Sequence, residues 1–222
     1  MELSDVMRTT FAARDFTDDP LPDSVLYDIL ETARFAPSGG NRQGNRVIVV
    51  RDEATKARIA ELAAPAAKRY VAQIMAGENP WNTVVPTKVS AEEIEAARAP
   101  AELLGSYTAA PVLLVFVVDL KVVASMDQEL ERIGVISGGS IYPFVWNVLL
   151  CAREAGFGGT ITTLPAARES DMQALLNIPA DHAVAAVVPL GKPVKQLTRL
   201  KRRSVNEIVS RERFDGTPFG AD

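Results

Sequence analysis

The chain has 222 residues, 47% of them hydrophobic and 23% charged, a composition that builds one sizeable core and excludes extended disorder. A net charge of -4 leaves no electrostatic footprint for nucleic acid or an anionic membrane surface, and no run reaches the roughly 20 apolar residues that span a bilayer. One cysteine (Cys151) and one histidine (His182) exclude an internal disulfide and an ordinary structural zinc site, so demanding chemistry must come from a bound cofactor.

Residues 1–14 carry acidic groups early and no apolar run, so no secretory signal is read there and a cytoplasmic protein is expected. Residues 23–36 set Val25, Leu26, Ile29, Leu30 and Ala33 at spacings of three and four, which predicts an amphipathic helix stopped by Pro37. A Gly, Asn and Ser-rich loop over 38–45 leads into a β-branched run over 46–50, read as a buried strand. Residues 54–70 look helical with a break at Pro65, 77–86 form a loop, and 90–104 resume a helical pattern. Residues 111–119 are apolar on both faces and predict a central strand covered by helices on each side.

The longest helix is expected from about Gly134 to Ala155, apolar nearly all round and capped at Gly156, with Cys151 in the core. Such a helix suits burial against a partner subunit. A turn and strand over 156–163, a short helix over 171–176 and a buried strand over 183–190 follow, with His182 at the surface. The polar, basic tail over 197–219 has too few apolar residues for a core of its own and must wrap something. No repeat or linker divides the chain, so residues 1–222 are read as one domain.

Five short motifs in order give a resemblance. Arg14-Asp15-Phe16, the stretch from Ala36 to Gln43, Ala110-Pro111, the stretch from Gly156 to Thr160, and Asn177-Ile178-Pro179 with the stretch from Pro189 to Pro193 resemble the nitroreductase family over residues 5–210. The resemblance implies an α+β fold: a mixed, mostly antiparallel sheet flanked by helices, dimeric, with residues 197–222 as a C-terminal arm exchanged between subunits. It also implies FMN at the dimer interface, contacted by both chains.

Arg14 matches the basic residue of the family's N-terminal phosphate motif, which usually also has an arginine and a serine where this chain has Thr10 and Ala12. Arg8 and the hydroxyls of Thr9 and Thr10 are the substitutes. A phosphate dianion suits arginine through bidentate hydrogen bonding, the plain alternative being a solvated helix face. Lys201, Arg202 and Arg203 fall where the family places its second phosphate contact, although a basic triplet is otherwise solvated surface. Ser38, Gly39, Gly40, Asn41 and Gln43 match the loop along the isoalloxazine ring, where small residues allow close approach and the Asn41 amide both donates and accepts. Gly44-Asn45 stands where many relatives have Pro-Trp, implying a more open or polar wall. Gly158 and Gly159 match the segment beside flavin N5, where a backbone N–H meets the atom that takes hydride. Tyr107, Tyr142, Trp146 and Trp81 either line an acceptor pocket or pack as core and interface.

The implied function is a ping-pong oxidoreductase: NADH or NADPH gives hydride to FMN and is replaced by a nitroaromatic, quinone or similar small acceptor, with no catalytic side chain. A dinucleotide fingerprint Gly-x-Gly-x-x-Gly is absent, as expected where nicotinamide stacks on flavin. The alternatives are a flavin-binding or storage protein without nicotinamide turnover, and a deazaflavin-linked or narrow-specificity reductase, dehydrogenase or dehalogenase whose selectivity lies in the Gly44-Asn45 wall and residues 65–105.

Overall fold

The computed structural model describes residues 1–220. Strands β1 (Asn45–Val50), β2 (Val112–Asp119), β3 (Gly158–Gly159) and β4 (His182–Gly191) form one sheet in the order β1-β2-β4-β3, each pairing antiparallel. A parallel bridge from Ala12 to Gly159 makes the sheet mixed. The helices are α1 (Leu3–Thr9), α2 (Asp23–Ala33), α3 (Glu53–Met75), α4 (Ala91–Ala96), α5 (Ala101–Ala109), α6 (Tyr142–Glu154), α7 (Glu169–Leu176) and α8 (Val205–Ile208).

The strand predicted as central is central. Successive side chains of β2 point to opposite faces. Leu113, Val115 and Val117 therefore pack with Ile59, Leu62, Tyr107 and Met172 of α3, α5 and α7. Val112, Leu114 and Phe116 pack with Leu26, Ile29, Val145, Val148 and Leu149 of α2 and α6. A register shift between Phe116 and Val117 lets Val184 and Val187, three apart on β4, share the first core. With both faces covered, β2 has no polar face to show, which is why its sequence carries no alternation.

Four expectations are corrected. Pro65 does not break the helix: α3 runs 23 residues through it, with Pro65 on the exposed side and Leu62, Ala63, Ala66 and Ala67 buried on the other. The lost backbone bond costs about 3 kcal/mol or more; burial of the apolar face offsets it. The pattern over 90–104 is two helices, because Pro100 forces the residue before it out of the helical region. Helix α6 begins at Tyr142 and is shorter than α3. The glycine-rich stretch before it closes only a 3-10 turn over Ile136–Ser140, glycine losing too much backbone entropy to extend a helix. Strand β1 lies at the sheet edge and buries only Val50.

Helix α6 ends as expected at Gly156. Its φ is +85°, and the amides of Gly156 and Phe157 donate back to the carbonyls of Arg153 and Ala152. Cys151 packs half-buried against the α2–α6 core. His182, expected at the surface, has a side chain only 11% exposed, its Nδ1 held 2.7 Å from Asp181. The tail leaves the body after Gln196, whose amide donates to Thr9 O. From Lys201 to Asp215 every residue is exposed, including Val205, Ile208 and Phe214. Among the described residues no helix is long and apolar enough to cross a membrane.

Candidate functional site

Ala13 is buried and its amide donates to Gly159 O at 3.0 Å, which pins the N-terminal segment along β3. This sets Arg14 on the wall of a cavity of about 530 Å³. Thr160, Thr162 and Thr163, just beyond β3, line the same cavity, and Ala66, Tyr70 and Trp81 form another side. Thr162 is fixed at its backbone by paired hydrogen bonds with Val187. Its hydroxyl lies 2.8 Å from Tyr107 Oη. Burial pushes the Tyr107 phenol up to about 12, against the opposing pull of the Thr162 hydrogen bond and the Arg14 charge. It stays protonated, and among the described residues its hydrogen-bond partner is Thr162, with either hydroxyl of the pair able to donate.

The N-terminal candidates part company. Arg14 reaches the cavity and, among the described residues, makes only a long contact of its own, 3.5 Å to Ala12 O. Arg8 is exposed on α1 and does not line it. The Thr10 hydroxyl is buried and donates to Val6 O at 2.7 Å, and that of Thr9 donates to Asp5 O. Gly158 and Gly159 are buried in sheet pairing rather than exposed to the cavity. A Cβ on Gly159 would stand 2.4 Å from Pro189 O, so glycine is demanded there by packing.

The loop after α2 forms a second centre. Ser38 Oγ accepts from the Gln43 amide, and Ser140 Oγ accepts from that of Gly39, both at 3.0 Å. Gly40, Asn41 and Gln43 all have positive φ, so the loop is a rigid, strained turn. Ser38 and Gln43 line a separate cavity of about 140 Å³ with Arg34, Asn45 and Phe144. Asn45 Oδ1 is buried there without a partner. A Cβ on Gly44 would come within 2.6 Å of Val122. Lys201, Arg202 and Arg203 are exposed on the tail, Arg202 bonding only the Lys201 carbonyl. One chain therefore does not bring the three groups together.

Of the aromatic candidates only Trp81 lines the large cavity; Tyr107 is buried behind it, and Tyr142 and Trp146 stand half-exposed on α6. Sequence reasoning missed Thr160, Thr162 and Thr163, though three hydroxyls in four positions after a glycine pair were a readable signal. Among the described residues no His, Cys, Asp and Glu cluster can hold a metal.

A model of the nitroreductase family matches residues 7–192. The chain belongs to the nitroreductase family. Its relatives in that family include an NADH dehydrogenase of Thermus thermophilus, 28% identical over 88% of this chain and 89% of that one. A nitrobenzene nitroreductase of Ectopseudomonas oleovorans is 27% identical over 85% and 86%. The fold is also that of an iodotyrosine deiodinase solved with FMN and 3-iodo-L-tyrosine, with a TM-score of 0.67, 23% identity, and coverage of 96% of this chain and all of that one. Nitroreductase-family members are oxidoreductases.

Proposed function

We propose that this nitroreductase-family chain works as a homodimer that holds FMN and passes electrons from NADH or NADPH to a flat, electron-poor acceptor such as a nitroaromatic or quinone. The observation that carries the reading is the cavity of about 530 Å³ whose wall joins the Arg14 guanidinium to three threonine side chains. That donor set fits the cofactor. A guanidinium without a carboxylate partner among the described residues suits a phosphate dianion, and hydroxyl groups suit the polar edge of a flavin ring.

FMN, when bound, supplies the hydride-accepting and hydride-donating centre. The chain does the rest. Arg14 binds the phosphate end; Thr162, its hydroxyl held by Tyr107, offers a hydrogen-bonding group to the cavity; Tyr70 and Trp81 exclude water. Tyr107 serves as no base, since its proton is held to about pH 12. Because the loop from Ser38 to Gln43 lines another cavity of the same chain, we assign it to the flavin held mainly by the partner subunit. Lys201, Arg202 and Arg203 are assigned likewise, carried across by the arm; their exposure supports this.

The test is an absorption spectrum of purified protein titrated with FMN, then with NADH or NADPH under anaerobic conditions. A bound flavin band that bleaches with either nicotinamide is expected, and Arg14→Met should weaken FMN by about tenfold or more, the loss of a charge-assisted hydrogen bond. A tight band that only dithionite bleaches would replace this reading with flavin storage.

A further inference from the structure

Trp81 is held under unusual constraint. Its φ of +55° lies in the left-handed region, where a bulky side chain is an outlier kept only when its surroundings over-determine it. They do. The Trp81 amide donates to Gln73 Oε1 at 3.1 Å; Gln73 is itself only 2% exposed, in α3. Gln73 Nε2 donates to Glu78, whose carboxylate also takes the Thr87 hydroxyl at 2.6 Å and the Lys88 amide at 2.7 Å. The loop carrying Trp81 is thereby hooked onto the longest helix rather than left to swing.

A charge stands over the indole. The Arg69 guanidinium lies 4.3 Å from the Trp81 ring centroid, while Arg69 does not line the cavity that Trp81 does. Arg69 Nε is buried without a hydrogen-bond partner, and among the described residues Arg69 has no ion pair. Its charge therefore has no carboxylate partner among the described residues and lies against the ring of a side chain that lines the cavity. A cation already drawing on the indole face also weakens that ring's attraction for a second cation.

We propose that Trp81 backed by Arg69 is the acceptor-selecting wall, admitting flat aromatics that are neutral or anionic and rejecting cationic ones. This rests on the large cavity being where the acceptor meets the cofactor. Stacking would hold a ligand charge about 8 Å from the guanidinium, where a partly screened interaction is worth about tenfold in affinity.

The chain has two tryptophans, so Trp146→Phe leaves Trp81 as the sole indole reporter. In that background, 4-nitrobenzoate, nitrobenzene and (4-nitrobenzyl)trimethylammonium are titrated against indole fluorescence, with the FMN band recorded in the same sample. Quenching by the first two, with the cation bound about tenfold or more weaker, is expected. Arg69→Met should collapse the discrimination, and Arg69→Lys should keep most of it. Equal binding of all three probes, no quenching at all, or discrimination unchanged in Arg69→Met, which would assign it to Arg14, overturns the proposal. Charge-selective quenching in protein that takes up no FMN would uphold the wall and refute the flavin reading, so the two failures are distinct.

Discussion

Asp181 lies between Lys121 Nζ at 2.6 Å and His182 Nδ1 at 2.7 Å. The hydrogen bond from Lys121, followed by that from His182, lowers its carboxyl from the ordinary 3.8 to about 2. A group depressed in the folded state stabilises fully above its unfolded value and loses that contribution as pH falls through the folded one. The window is therefore about pH 4 down to about 2. Asp181→Asn should lower Tm at pH 6 and converge on the parent as pH approaches 2; a difference constant across that range would exclude the linkage. The pair also explains His182, which local sequence placed at the surface. Its partner is the preceding residue, but its burial comes from β4 joining the sheet, a contact no local pattern announces. The same limit applies to Thr162. Its hydroxyl was readable as a residue type, but its direction is set by Tyr107, 55 positions away.

Helix α3 is the element where a local rule lost to packing. Pro65 removes a backbone donor, yet Ile59, Leu62, Ala63, Ala66 and Ala67 align into one buried face that holds both halves in register. Pro65→Ala should restore the missing bond on an exposed face and raise stability by about 1–3 kcal/mol in urea denaturation, less the entropy regained by the unfolded chain. A loss of stability would mean that the bend at Pro65 is itself required. Continuity of α3 matters to the site, since Ala66 and Tyr70 line the large cavity from just beyond the proline and Gln73 anchors Trp81 one turn later.

For the whole molecule, the proposed dimer makes function a property of the assembly, and the exposed arm is where that proposal is tested. Removing residues 198–222 should leave the body's circular dichroism nearly unchanged while shifting sedimentation toward monomer and weakening FMN by about tenfold or more, since a lost partner removes its binding energy by mass action. A truncated protein that stays dimeric with full flavin affinity would refute the arm's role. The sequence by itself determined the order of elements around the central apolar strand, the Gly156 stop, and the Gly, Asn and Ser-rich loop over 38–45. These are local matters of period, capping and residue chemistry, encoded within a turn or two of the chain. Only the tertiary structure decided that Gly158 and Gly159 are packed in the sheet while the next threonines face the cavity, that Arg8 and Thr10 stand outside it, and that Arg69 backs Trp81. Those facts follow from which strand edge is paired and which helix lies beneath which loop, and long-range contacts of that kind leave no periodic trace in sequence.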